Sequence, residues 1–318
     1  MHSFLRTKSF ISNQWVEGLS EDNLTVTDKY SQGVLAKIPL INENQMDDAI
    51  TSCEDAFEVM KNYSAGQRSE KLEKLVSLLE QNKDSFAKLI CAEAGKPILY
   101  AHGEVDRCIT TLKLSVKAAL EVHGEVVPMD FGASTSRQAY TQRFALGPIG
   151  CIAPFNFPLN LALHKIAPAL AIGNSVLIKP SPYTPLSLLA FGELIKQADF
   201  PDGAVNIVIC DNYVAQSIVE DERIKFFSFT GSPKVGWELK QKSGQKKVTL
   251  ELGGNAAVIV DKTADIEKAA TEVVNGAFLY SGQICISTQR VYIDSDIYDN
   301  FLDLVMENTD DVVCGNPN

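Results

Sequence analysis

Three residues far apart in the chain carry side chains suited to acyl chemistry. Cys285 lies in Ser281-Gly282-Gln283-Ile284-Cys285, between a helical run and the strand-like Arg290-Val291-Tyr292-Ile293. A thiol is the most nucleophilic side chain near neutral pH even when only a few per cent is ionised, and loops between rigid elements commonly hold reactive groups. The competing reading, a small buried hydrophobe, applies to all seven cysteines. Glu251 closes Val248-Thr249-Leu250 and precedes Leu252-Gly253-Gly254-Asn255, whose glycines let the backbone approach a ligand or turn sharply. An acid at a strand's carboxyl end among apolar neighbours is expected to be partly desolvated, which moves it toward the range of a general base. A helix cap or a salt-bridge partner is the alternative. Asn156, in Pro154-Phe155-Asn156-Phe157-Pro158, stands just past a strand and before a helix that Pro158 can open. Its amide offers uncharged donors suited to a developing alkoxide, and an ordinary Asn cap is the alternative.

Two further segments suit a nucleotide. Phe229-Thr230-Gly231-Ser232-Pro233-Lys234-Val235-Gly236 follows a strand and opens a helix, so its free N–H groups and the helix dipole face any pyrophosphate placed there. It is not the G-x-G-x-x-G dinucleotide fingerprint. Lys179 ends Ser175-Val176-Leu177-Ile178 before Pro180-Ser181-Pro182, where its ammonium can reach ribose hydroxyls or a phosphate; solvated surface is the alternative.

Rigid elements must hold these residues, and the apolar pattern supplies them. From Asn44 to Val122 the chain reads as successive helices, with Leu72, Leu75, Val76, Leu79, Phe86, Leu89 and Ile90 forming one core-facing stripe. Gly95, Lys96 and Pro97 interrupt it before a second stripe of Val105, Ile109, Leu112, Val116 and Leu120. The opening has strand-like pieces at Phe10 to Val16 and Asn23 to Thr27. Glu125 to Met129 and Arg137 to Phe144 read as a hairpin turning at Gly132 to Thr135. Beyond it, strands at Ile149 to Pro154, Ser175 to Lys179, Val205 to Ile209, Phe226 to Phe229, Val248 to Glu251, Ala256 to Val260 and Arg290 to Ile293 alternate with helical stretches. That alternation predicts parallel β-α-β units, with ligands at the carboxyl ends of the strands.

Composition narrows the class. A chain of 318 residues, 45% hydrophobic and 22% charged, suits a globular protein of about two domains. A net charge of −11 repels phosphate backbones and anionic lipid, so a small molecule is the expected partner rather than nucleic acid or a membrane. The cysteines are odd in number, scattered and without a C-x-x-C pair, which predicts neither disulfides nor a metal site and fits a reducing, cytoplasmic setting. No signal peptide or spanning segment is read.

Five motifs in order, PFNFP, IKPS, FTGSPKVG, ELGGN and GQICISTQR, resemble the aldehyde dehydrogenase superfamily, and the intervals from Asn156 to Lys179 and from Glu251 to Cys285 agree with its pattern. The resemblance runs from ISNQWVEG to the end of the chain. It implies an α/β fold: a variant Rossmann-type parallel-sheet domain at 1–123 and 147–250, an oligomerisation arm at 124–146, and from 251 to 318 the start of a second α/β catalytic domain. It implies NAD or NADP as cofactor, with Lys179 on the adenosine ribose, Gly231 and Ser232 near the pyrophosphate and Phe155 beside the cofactor. Ser181, Pro182, Gly236 and Leu252 complete the implied contacts. By the family mechanism Cys285 attacks an aldehyde, Asn156 and the Cys285 N–H hold the oxyanion, hydride passes to nicotinamide, and a water activated by Glu251 hydrolyses the thioester. Homodimers or homotetramers are implied for the full-length form.

Three departures accompany it. Pro182 stands where NAD-preferring relatives often carry a glutamate, which leaves NADP permitted. Ile209-Cys210-Asp211 replaces a frequent Pro-Gly. The chain ends at Gly315-Asn316-Pro317-Asn318 with no Glu-x-Phe-Gly motif, the expectation for a fragment or a natural truncation with an incomplete site. Two rivals stay open: a non-catalytic relative that keeps the nucleotide fold, and a cofactor-free cysteine hydrolase. No histidine lies in the Cys285 motif to serve the latter. Ile284 and Ile286 predict an apolar wall beside the aldehyde.

Overall fold

The computed structural model describes residues 4–130 and 137–318. The first expected strand is two: Ser9–Ile11 (β1) and Gln14–Val16 (β2) fold back on each other through Ser12 and Asn13, both with left-handed φ (50° and 56°). Short polar side chains tolerate that conformation, and tertiary bonds fix it here: Asn206 Oδ1 accepts the Ser12 N–H at 2.9 Å, and the Asn13 amide donates to Asp202 at 2.7 Å. Asn23–Thr27 (β3) pairs antiparallel with Val34–Pro39 (β4), a strand the alternation did not announce.

Four helices follow: Glu43–Met60 (α1), Ala65–Gln81 (α2), Lys83–Ala94 (α3) and Ile98–Leu120 (α4). Reciprocal capping boxes open α1 (Asn42, Gln45) and α2 (Ser64, Gln67). The stripe from Leu72 to Ile90 is buried as expected, but Asn82 divides it between two helices. Leu120, placed on the second stripe, is exposed. Gly95, at φ 66°, ends α3 in the left-handed region that suits glycine. The short strands Val126–Val127 (β5) and Ala139–Tyr140 (β6) form the hairpin; its expected turn at Gly132 to Thr135 lies outside the described residues.

The rest alternates as predicted: Ile149–Ile152 (β7), Asn160–Ala171 (α5), Val176–Lys179 (β8), Leu186–Gln197 (α6), Val205–Ile207 (β9), Gln216–Glu220 (α7), Phe226–Thr230 (β10), Pro233–Lys242 (α8) and Lys247–Glu251 (β11). Strands β7 to β11 pair in parallel, with β1 and β2 added antiparallel, in the order β11-β10-β7-β8-β9-β1-β2. The chain runs outward from β7 to β9 and then resumes on the other side with β10, so the strand order reverses between β7 and β10. In open α/β sheets a ligand crevice forms at such a switch point. The PFNFP segment leaves β7 there and the Thr230-Gly231-Ser232 segment leaves β10 there.

Two buried glutamates fix the helices on either side of β8. Glu93 of α3 accepts the N–H groups of Leu186 (2.6 Å) and Ser187 (2.9 Å) at the start of α6. Glu104 of α4 accepts those of Leu159 and Asn160, each at 3.1 Å, at the start of α5. A carboxylate at a helix N-terminus satisfies orphan donors and complements the dipole. Finally Ala256–Val260 (β12), Ile266–Phe278 (α9), Thr288–Ile293 (β13) and Tyr298–Asp310 (α10) form a parallel strand pair backed by two helices, with its own small core around Val260, Ala270, Val273 and Phe301.

Candidate active site

Burial sorts the seven cysteines. Cys53, Cys91, Cys108, Cys151 and Cys210 are buried, and burial raises each thiol, to about 12 for Cys53, Cys151 and Cys210. For these five the small-hydrophobe reading holds. Cys285 and Cys314 are exposed, and of the two only Cys285 sits in a loop joined to other candidate residues.

That loop is held from two sides. The Asn156 amide donates to the Gln283 carbonyl at 2.7 Å, tying the β7 segment to the Cys285 loop. Asn156 is therefore no helix cap: α5 starts at Asn160, Glu104 supplies its acceptors, and Pro158 precedes the helix rather than opening it. On the other side, a Cβ at Gly254 would lie 2.3 Å from the Cys285 carbonyl oxygen. Glycine is required there because the backbone after Glu251 presses directly on the backbone of Cys285. The Gly231 N–H donates to the Glu251 carbonyl at 3.0 Å, which joins the β10 and β11 segments as well. Around Cys285 the chain is irregular: Tyr280 and Ser281 have left-handed φ (51° and 56°), and α9 stops before them at Phe278. The Cys285 N–H bonds to no group among the described residues and is free to donate.

Glu251 differs from expectation. It is exposed at the end of β11, so the partial desolvation read from its apolar neighbours is absent. The pattern misled because β11 is the edge strand of the sheet, where alternate residues face solvent. What lies near Glu251 is cationic. Lys165 of α5, almost fully buried, donates to Ser228 Oγ (3.0 Å) and Thr230 Oγ1 (2.8 Å); burial lowers its pKa, and Cys151 and Glu251 oppose that. His164 is held below the usual imidazole range by burial and by the Arg107 and Lys165 charges, with Glu251 opposing. Sequence reasoning passed over both. The signal was a His-Lys pair inside the otherwise apolar run Leu161 to Leu170.

At the carboxyl ends of β8 and β9 a cavity of about 230 Å³ is lined by Lys179, Ser181, Pro182, Cys210 and Asp211, among others. Lys179 is 6% exposed, which overturns the solvated-surface reading. Its ammonium makes no hydrogen bond or ion pair among the described residues, and burial lowers its pKa against the opposing pull of Cys210 and Asp211. A buried cation without an acceptor fits a cavity made to receive ribose hydroxyls or phosphate. At the switch point Ser232 caps α8, Pro233 takes the first helical position, and the helix N-terminus directly follows Gly231. Gly236 admits Leu252, whose Cδ2 would be 2.5 Å from an added Cβ, and so locks α8 to the segment after β11. Phe155 is partly exposed, stacks edge-on with Tyr183 at 6.1 Å, and borders a second cavity of about 530 Å³ shared with Thr184 and Gln283.

The aldehyde dehydrogenase family model matches residues 15–318. The chain belongs to the aldehyde dehydrogenase family. It is similar to 3-sulfolactaldehyde dehydrogenase of Priestia megaterium (strain ATCC 12872 / QMB1551), 38% identical over 310 residues, covering 97% of this chain and 64% of that protein. It is also similar to lactaldehyde dehydrogenase of Methanocaldococcus jannaschii, 37% identical over 313 residues, covering 97% and 66%. Among solved structures, aldehyde dehydrogenase 21 from Physcomitrella patens in complex with the reaction product succinate superposes with a TM-score of 0.93 at 37% identity, covering 98% of this chain and 65% of that one. NADP-dependent glyceraldehyde-3-phosphate dehydrogenase from Bacillus halodurans C-125, complexed with NADP, gives 0.95 at 32% identity, covering 98% and 66%. This aldehyde dehydrogenase chain thus spans 64–66% of the length of the curated relatives it matches.

Proposed function

We propose that the protein oxidises an aldehyde to a carboxylic acid with NAD or NADP, using Cys285 as nucleophile, Asn156 as oxyanion donor and Glu251 as general base. The observation that carries this reading is the double tether of the Cys285 loop, to Asn156 through Gln283 and to the Glu251 segment through Gly254. These two contacts join the segments that carry Asn156, Glu251 and Cys285, which supports a shared site for the three.

The Cys285 thiolate forms a C–S bond to the carbonyl carbon, and the π electrons move to oxygen. The second hydrogen of the Asn156 amide and the free Cys285 N–H donate to that oxygen; one such donor is worth ~2.7–4 kcal/mol. A bound nicotinamide dinucleotide supplies the acceptor for the hydride that leaves the same carbon. Lys179, Ser181 and Pro182 would hold its adenosine end, and Gly231, Ser232 and the α8 N-terminus its pyrophosphate, with Phe155, Gly236 and Leu252 framing the crevice. Glu251 then takes a proton from water as the oxygen attacks the thioester, the C–S bond breaks, and the acid leaves with the thiolate restored. Exposure of Glu251 gives water direct access to it.

The substrate class follows from Arg107. This α4 residue lies with its guanidinium carbon 5.7 Å from the Phe157 ring, one residue from Asn156, and makes no hydrogen bond or ion pair among the described residues. An unpaired guanidinium there suits a small aldehyde bearing a sulfonate, carboxylate or phosphate. Among the similar proteins, 3-sulfolactaldehyde dehydrogenase and an enzyme in complex with succinate carry such an anion in their names, while lactaldehyde, named for others, is uncharged. The implied oligomer and a cytoplasmic setting remain parts of this proposal; no helix among the described residues is long and apolar enough to cross a membrane.

The test is aldehyde-dependent formation of reduced nucleotide with paired anionic and neutral aldehydes of similar size. Turnover is expected with the anionic member preferred, and Arg107→Ala is expected to erase that preference. No turnover with any aldehyde, or wild-type rates in Cys285→Ala, overturns the reading.

A further inference from the structure

Lys96 entered the sequence reading only as part of a helix break, yet its side chain is fully buried and so is that of its ion-pair partner, Glu104. Taking two charges out of water costs several kcal/mol per ion, and such a pair often stabilises no more than well-packed apolar residues would. Stability alone gives little reason for it. Its position gives a better one.

The Lys96 ammonium lies 3.7 Å from the centroid of the Phe157 ring and 4.6 Å from that of Tyr280. The two rings stand edge to face, 6.3 Å apart. Phe157 directly follows Asn156, while Tyr280 begins the left-handed stretch that leads to Cys285. One cation therefore touches both segments that bring the oxyanion donor and the nucleophile together. Glu104 bonds Lys96 through one oxygen and the first N–H groups of α5 through the other, so the same carboxylate anchors the helix behind Asn156. The Tyr280 hydroxyl donates to the Ala94 carbonyl at 3.0 Å, two residues before Lys96, which seats the ring against the same turn.

We propose that Lys96 and Glu104 form a positioning clamp that sets the spacing between Asn156 and Cys285. Lys96 meets neither substrate nor cofactor; it acts through the two aromatic faces, each a cation–π contact made in a dry site. The inference rests on the functional reading above, but its first readout does not need turnover.

The experiment is hydrogen exchange on Lys96→Met, resolved by peptide, together with kcat and KM for the best aldehyde. Segments 153–160 and 279–287 are both expected to exchange at least tenfold faster while β7, β8 and β9 keep wild-type protection; kcat is expected to fall tenfold or more with KM within threefold. Lys96→Arg, which keeps a cation between the rings, is expected to recover most of both effects. If Lys96→Met does not fold, Tyr280→Leu removes one ring face and serves the same comparison. Wild-type exchange in either segment, or a rise spread evenly over the whole protein, overturns the clamp. Absence of turnover in the wild-type protein with the paired exchange effect intact instead counts against the aldehyde reading alone.

Discussion

The Asn156 amide donates to the Gln283 carbonyl at 2.7 Å, two residues before Cys285. One of the two hydrogens of the amide read as oxyanion donor is thus used on the backbone of the nucleophile's own loop, and the second is left to donate. The Gln283 bond fixes the amide in place before the reaction, so its second hydrogen is a preorganised donor for charge that develops on the substrate oxygen. Asn156→Ala is expected to lower kcat/KM by roughly 10²- to 10³-fold, the worth of one such donor. Asn156→Asp should be at least as poor, because an ionised carboxylate accepts only and repels the oxyanion. Steady-state kinetics with the nucleotide saturating checks both; a loss below tenfold in Asn156→Ala removes Asn156 from the chemistry.

Gly254 makes a second test by packing alone. A methyl group there would sit 2.3 Å from the Cys285 carbonyl oxygen, a distance real Cβ atoms do not adopt against backbone. Gly254→Ala must push the Cys285 loop outward, and overpacking of that kind typically costs ~1–3 kcal/mol. Activity is expected to fall more than tenfold while nucleotide affinity stays within threefold, since the Lys179 cavity is far along the strand order. Isothermal titration with nucleotide and an activity assay on one preparation separate the two effects.

The order of elements was open to sequence reasoning because β7, β8 and β9, buried on both faces, read as short apolar runs, and the Ala256–Val260 strand, though half-exposed, was located to the residue. Tertiary partners were not. The bend at Ser12 and Asn13 depends on Asn206 and Asp202, nearly two hundred positions away. Glu251 was misjudged because nothing in Val248 to Leu250 tells that β11 is an edge strand. Lys96 and Glu104 are eight positions apart, and only the packing of α4 against α5 and the Tyr280 turn shows that they bury each other. Lys165 and His164 hid in a helix whose apolar run suggested core. For Glu104, His164 and Lys165 the signal passed over was a charged residue inside a buried helix.

Glu93 links the helix scaffold to pH. Complete burial pushes its carboxyl up to about 7, against the pull of the Ser187 and Leu186 donors. The folded state therefore holds a proton, between the ordinary carboxylate value and about 7, that the unfolded chain has lost. Stability from this group is present in full below the unfolded value and is lost as pH rises through about 7, a swing on the order of 3 kcal/mol. Thermal melts from pH 5 to pH 8 should show Tm declining, and Glu93→Gln, which cannot ionise, should flatten the decline. Equal slopes in the two proteins would remove Glu93 as its source.

Nucleotide choice turns on the cavity beside Lys179. The buried, unpaired ammonium is available to hydroxyls or phosphate, and a hydrogen bond to a charged group contributes ~1.5–3 kcal/mol. Lys179→Ala is accordingly expected to weaken nucleotide binding by about 10- to 150-fold without moving Cys285. Pro182 lines the same cavity and offers no charge. A carboxylate introduced by Pro182→Glu would repel a 2′-phosphate while accepting bonds from ribose hydroxyls. The ratio of Kd for NADP to Kd for NAD should rise at least tenfold in that variant, and more at low ionic strength, where screening is weakest. An unchanged ratio at low salt would show that the 2′ position of the nucleotide lies away from Pro182, and that the adenosine end occupies some other part of the crevice.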